Sequence, residues 1–150
     1  MHPYHKRLAK EYQAITKANL PGVELVSSEE LLSFLFKIHI DNHDLYPDDY
    51  YLQVTITDDY PVDSPSVVFI NYASSPIPLH PHIYSNGHIC LNLLGEDWTP
   101  ACSIESILLS IQSMLHSNTL AERPPDDAQY TKSAPRDPKR TNFVYHDDNI

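Results

Sequence analysis

Proline, more than glycine, punctuates this chain: thirteen prolines stand against three glycines, Gly22, Gly87 and Gly95. A proline lacks a backbone N–H and breaks helix and sheet ladders, so the regular elements must fall in the proline-free windows. The first window repeats Tyr4, Leu8, Tyr12 and Ile15 at helical spacing, which predicts an amphipathic helix of about four turns, stopped before Pro21-Gly22. Val23 with Leu25, the run Leu31–Ile40, the alternation Tyr50, Leu52, Val54, Ile56 and the short run Val67–Ile70 predict four strands. Polar turns join them, which implies an antiparallel meander. The window 101–123 predicts a helix with Ser103 as N-cap and an apolar stripe of Ile104, Ile107, Leu108, Ile111 and Leu115. A short helix is predicted from about Asp127 to Ser133, after Glu122-Arg123-Pro124-Pro125. The domain is expected to span 1–133, and 134–150 to be a polar tail, either flexible or docking on binding.

The 150 residues fit one domain. Hydrophobic residues at 41% and charged residues at 20% are ordinary globular values, which excludes wholesale disorder. Two cysteines exclude a disulfide scaffold. No apolar run approaches the ~18 residues of a membrane span. The first residues carry no secretory h-region, so a cytosolic or nuclear location without membrane contact is expected. A net charge of −10 argues against nucleic acid as partner, because phosphate binding needs a basic surface. That charge is uneven: Lys6, Arg7, Lys10 and Lys17 crowd the first helix, whereas 18–122 holds only Lys37 among Lys and Arg. A basic end on an acidic body suggests docking to an acidic protein partner, with a merely solvated helix face as the competing reading.

Residues 71–100 hold Pro76, Pro78, Pro81, Asn86, Gly87, Gly95 and Pro100 and show little regular patterning; such long loops are often functional. Within them His80-Pro81-His82-Ile83-Tyr84-Ser85-Asn86-Gly87-His88-Ile89-Cys90-Leu91 packs three histidines and a cysteine together. Chemistry leaves several readings open. His80, His82, His88 and Cys90 are acceptable zinc ligands, but their spacing matches no common zinc module. A hydrolytic Cys/His pair needs a stabilised thiolate, and nothing local obviously lowers the Cys90 pKa. A thiol that carries an acyl group and passes it on needs an accessible Cys on a rigid loop, an oxyanion donor and little activation of water. Against these stands a buried packing thiol between Ile89 and Leu91.

The run His80–Leu93 resembles the active-site signature of ubiquitin-conjugating enzymes: His-Pro-Asn, an aliphatic residue, then Asn-Gly, one residue, Ile, and the catalytic Cys followed by Leu. Tyr60-Pro61-Val62-Asp63-Ser64-Pro65 is similar to the family's Tyr-Pro-x-x-x-Pro, and Asp97-Trp98-Thr99-Pro100-Ala101 to its Trp-Ser-Pro-Ala loop. The resemblance spans about 4–133. It implies an α+β ubiquitin-conjugating fold with an N-terminal helix, a four-stranded antiparallel meander, a catalytic loop and C-terminal helices. It implies no cofactor and no metal. His82 in place of the motif's Asn, Arg123-Pro124-Pro125-Asp126 and Tyr145-His146-Asp147-Asp148 resemble the W-type members, which direct ubiquitin to substrate N-termini. Phe143-Val144 departs from that type's paired Trp.

By this resemblance Cys90 is the thioester nucleophile. His82 donates to the oxyanion, shuttles a proton or holds the loop. His80 and Pro81 fix the loop. Asn92 stands where an acidic residue is often found, and Asp126 or Asp127 where the wider family has an acidic gate. His88 is expected to be a solvated loop residue, Cys102 a packing thiol and Trp98 a loop-packing ring. Lys6, Arg7 and Lys10 fall where the activating enzyme docks, and Val62, Thr99, Pro100 and Ala101 where RING-type ligases dock. The implied partners are therefore ubiquitin, the activating enzyme, such ligases and substrates with unstructured N-termini. An α-amine has a reference pKa of about 7.7–8.0 against about 10.4 for lysine, so near neutrality it is far more often a neutral nucleophile. A site with Asn92 in place of an acid suits the amine that needs less deprotonation. The alternative function is a catalytically inactive module that binds ubiquitin or a partner, against which the intact Cys90 argues.

Overall fold

The computed structural model describes residues 2–140. Phe143-Val144 and Tyr145-His146-Asp147-Asp148 lie outside the described residues. Helix α1 (His5–Ala18) closes at Asn19, whose φ of 48° and ψ of 55° turn the chain out of the helix. It buries Leu8 and Ile15, while Tyr12 packs at the margin and Tyr4 remains 44% exposed ahead of the first turn. Strands β1 (Val23–Glu29), β2 (Ser33–His39), β3 (Asp49–Thr55) and β4 (Ser66–Ile70) follow. They pair in sequence order, each antiparallel to its neighbour, so the expected meander and the α+β class are what is observed. Helix α2 (Ile104–His116) and the short α3 (Asp127–Ser133) complete the elements used below.

Strand alternation builds one core. Phe34, Phe36 and Ile38 of β2, Tyr50, Leu52 and Val54 of β3, and Val67 and Phe69 of β4 all point inward. They join Leu8 and Ile15 of α1 and Ile104, Ile107, Leu108, Ile111, Met114 and Leu115 of α2. Each such side chain contributes about 1.5–3 kcal/mol by leaving water. Leu31 and Leu32 do not extend β2 as the sequence suggested. Glu30 and Leu31 take φ of 51° and 60°, because the chain reverses within three residues between Glu29 and its partner Ser33. Helix α2 also stops earlier than its window. Asn118 turns its side chain to the Leu120 N–H at 3.1 Å and to the Tyr46 hydroxyl at 2.7 Å, offering the backbone an alternative to another turn.

Residues 134–140, counted with the tail on sequence grounds, lie against the sheet. Asp137 accepts from the Ser66 hydroxyl at 3.2 Å, and Lys139 donates to Asp63 at 2.9 Å. Pro138 is buried there. Among the described residues, no helix is long and apolar enough to cross a membrane.

Candidate active site

The segment between β4 and α2 folds back on itself around Asn86-Gly87. The Asn86 side chain accepts the His88 N–H at 3.1 Å, and the Tyr84 N–H reaches the His88 carbonyl at 2.9 Å. Gly87 has φ of 92°, and a Cβ there would overlap the Phe69 carbonyl. Only glycine permits this approach, which lets the Phe69 N–H bond the Gly87 carbonyl at 3.0 Å. The loop is thereby clamped to β4. Its second half then runs beside its first, with an Ile83–Ile89 bridge and the Cys90 N–H donating to the His82 carbonyl at 2.8 Å.

Cys90 is 6% exposed, so the open thiol expected from the sequence is corrected: the residue is buried. Its neighbours Ile89 and Leu91 belong to the contiguous apolar cluster. Tyr84 is close enough for charge on Cys90 to act on it. Burial first, then the Asp126 carboxylate and Cys90, push the Tyr84 hydroxyl well above the usual phenol range.

The three histidines diverge. His80 is 1% exposed, and its Nδ1 accepts the His82 N–H at 2.9 Å. Burial, with the neighbouring His82 ring, pushes it down to about 4, so it is neutral at physiological pH. His82 is 9% exposed, with its ring 5.6 Å from that of His80 at 63°. His88 is not the solvated residue expected. It is 3% exposed, with Nδ1 at 2.6 Å from the Tyr130 hydroxyl and Nε2 at 3.1 Å from the Arg136 carbonyl. It joins the loop to α3 and to the segment beyond, which a sequence without those partners in view could not show. Among the described residues, no three His, Cys, Asp or Glu side chains are placed to share a metal ion.

Both candidate gate carboxylates meet the loop. Asp127 accepts the Ser85 N–H at 2.7 Å, and Asp126 accepts from the Tyr84 hydroxyl at 3.1 and 3.3 Å. The Tyr84 ring stacks on Tyr130 at 3.8 Å. Asn92 opens a short 3-10 turn, and its carbonyl receives the N–H groups of Gly95 and Asp97, both at 2.9 Å. Pro81 lies in the turn between the two histidines.

Of the docking residues, Lys6 and Lys10 are exposed. Arg7 is turned inward, against expectation. Its guanidinium donates to the carbonyls of Pro100 and Cys102 and pairs with Glu11 at 3.1 Å, and it lies over the Tyr60 ring. Glu11 in turn accepts the Tyr60 hydroxyl and, at 2.8 Å, the Ile104 N–H at the start of α2. Val62 is 64% exposed, and Thr99, Pro100 and Ala101 are also exposed. The Trp98 indole N–H reaches the Pro61 carbonyl at 2.9 Å and holds the two loops side by side. Cys102 is half-buried, 3.7 Å from the Thr99 hydroxyl.

A family model described as "Ubiquitin-conjugating enzyme" matches residues 7–144. The chain belongs to the ubiquitin-conjugating enzyme family. The chain is 37% identical over 149 residues to the "Probable ubiquitin-conjugating enzyme E2 W" of Dictyostelium discoideum, covering 98% of this chain and 97% of that one. It is 48% identical over 99 residues to the "Ubiquitin-conjugating enzyme E2 W" of Caenorhabditis elegans, covering 66% of this chain and 63% of the relative. An Arabidopsis thaliana relative, "Probable ubiquitin-conjugating enzyme E2 16", is 49% identical over 71% of this chain and 65% of its own length. The chain thus spans just under two thirds of the length of the last two relatives. The crystal structure of a ubiquitin conjugating enzyme E2 from Agrocybe aegerita superposes with a TM-score of 0.86 and 37% identity, over 92% of this chain and 99% of that one. As a ubiquitin-conjugating family member of W-type similarity, the chain carries the α+β fold implied by its motifs.

Proposed function

We propose that this chain accepts ubiquitin from the activating enzyme as a thioester on Cys90 and transfers it to the N-terminal α-amine of a protein substrate. The observation that carries this is the fixed placement of Cys90. Its N–H is held to the His82 carbonyl at 2.8 Å, on a loop clamped to β4 where Gly87 meets Phe69. In the first step the Cys90 thiolate attacks the carbonyl carbon of the donor thioester. A new C–S bond forms, the donor C–S bond breaks and the donor thiolate leaves. In the second, a neutral amine attacks the Cys90 thioester. The amide forms, the C–S bond to Cys90 breaks, and the amine's proton passes to the departing sulfur or to water.

The α-amine preference is supported by what surrounds the thiol. Asn92 offers no carboxylate two residues after the thiol. One base fewer is therefore at hand to take a proton from an incoming lysine. An α-amine, with its reference pKa about 2.5 units lower, needs that help less. His82, placed across from Cys90, serves as loop anchor or oxyanion donor in this reading. Val62, Thr99, Pro100 and Ala101 form the shallow patch offered to RING-type ligases, and Lys6 and Lys10 the basic edge offered to the activating enzyme.

Incubation with activating enzyme, ATP and ubiquitin tests the proposal. A single adduct sensitive to thiol and absent in Cys90→Ala is expected on a non-reducing gel. Discharge to an unstructured peptide N-terminus should outpace discharge to free lysine. Equal rates would remove the specificity, and no adduct would remove the transfer function.

A further inference from the structure

The loop that carries His80 and His82 is short of hydrogen-bond donors for a reason visible in the sequence. Pro76, Pro78 and Pro81 remove three N–H groups from six residues, so the stretch cannot pair into a ladder. Its carbonyls still need partners. Two side chains from elsewhere supply them. Arg123 donates through Nη2 to the Ile77 carbonyl at 2.9 Å and through Nη1 to those of Pro78 at 2.6 Å and Ile83 at 3.1 Å. The Tyr46 hydroxyl, fully buried, donates to the Leu79 carbonyl at 2.7 Å and accepts the Asn118 amide at 2.7 Å.

We infer that Arg123 is the positioning residue of the catalytic loop, with Tyr46 as its second support. One planar guanidinium grips the chain on both sides of His80-Pro81-His82, so the two arms of the loop are held at a fixed separation. His82 lies between those arms, and its carbonyl takes the Cys90 N–H. The position of the thiol relative to His82 therefore depends on a residue that lies outside the loop. Arg123 is well placed to stay rigid. It is the one Lys or Arg between Lys37 and Lys132, it precedes Pro124-Pro125, and Asp127 balances its charge. Burial lowers its pKa from the usual guanidinium value, with Asp127 acting in the opposite direction. A lysine there would keep the charge but not the rigid fork that reaches three carbonyls.

This inference rests on the acyl transfer proposed for Cys90, and the experiment separates the two. Wild type, Arg123→Lys, Arg123→Gln and Tyr46→Phe are charged with ubiquitin, then chased in single turnover with a peptide α-amine. As a control for lost stability, Ile15→Val trims the core at α1. The expected result for Arg123→Lys is a discharge rate lower by about 10–100-fold at saturating amine, as a displacement of roughly 1 Å produces. The amine concentration for half-maximal rate should hardly change. Tyr46→Phe should fall in the same direction by less, and Ile15→Val should not fall. The His80 imidazole, followed by NMR, should titrate near 4 in wild type and move toward the ordinary range in Arg123→Lys, as water enters beside His82. Normal discharge and an unmoved His80 in Arg123→Lys would overturn the inference. Should Arg123→Lys and Arg123→Gln fail to fold, normal discharge and an unmoved His80 in Tyr46→Phe would do so. A wild type that never charges would instead overturn the transfer function itself, leaving the His80 titration to decide on Arg123.

Discussion

His80 and His88 show how single residues tie stability to pH. Both are buried and held below the ordinary imidazole pKa, His80 at about 4. The unfolded chain therefore binds protons at these positions before the folded one does. Stability is fully present above the unfolded pKa of about 6.5 and is lost as pH falls below it, down to the folded values. For His80 the loss is on the order of 3 kcal/mol across that window. Urea unfolding at pH 7 and pH 4.5 should show a smaller difference for His80→Asn than for wild type. Gly87 gives a second prediction. Gly87→Ala forces a left-handed residue and a clash with the Phe69 carbonyl, and should cost at least about 2 kcal/mol in the same unfolding experiment. The Asn86-Gly87 turn was legible because its residue types name its geometry. The burial of His88 was not, because Tyr130 and Arg136 lie more than forty residues away and no local pattern announces them.

At the scale of elements, helix α2 begins with reciprocal caps. The Ser103 hydroxyl accepts the Ser106 N–H at 3.2 Å, while the Ser106 hydroxyl accepts the Ser103 N–H at 2.6 Å. Glu11 of α1 adds an acceptor for the Ile104 N–H, so one helix caps another. Ser103→Ala should lower stability by about 1 kcal/mol on denaturant unfolding. The inward turn of Arg7 separates it from its basic neighbours. Arg7→Ala should destabilise the chain by about 1–3 kcal/mol, since it removes the cation paired with Glu11 and the donor to the Pro100 and Cys102 carbonyls. The strands and both long helices could be read from periodicity, because one face of each meets the core. Arg7 was grouped with Lys6 and Lys10 because charge is visible in a sequence, whereas the side to which a charge turns is set by the Pro100–Cys102 carbonyls it meets. Arg123 escaped for the same reason, although a lone cation beside two prolines in an acidic stretch was a usable signal.

At the scale of the whole molecule, the net charge of −10 leaves Lys6 and Lys10 as an isolated basic edge on an acidic surface. Reversing both to Glu should slow charging by the activating enzyme, most at low ionic strength, and leave unfolding unchanged. The charging rate measured across a salt series checks this, and a rate unaffected by the reversal would remove the docking role. The clamp between Gly87 and Phe69 reaches further than the site. β4 is the last strand of the sheet, and Gly87 and His88 pair with its outer side at Phe69 and Val68. The loop that carries the thiol thus also seals a sheet border. Loosening it would bare unsatisfied strand backbone to other copies of the chain, so a more mobile loop carries the hazard of self-aggregation.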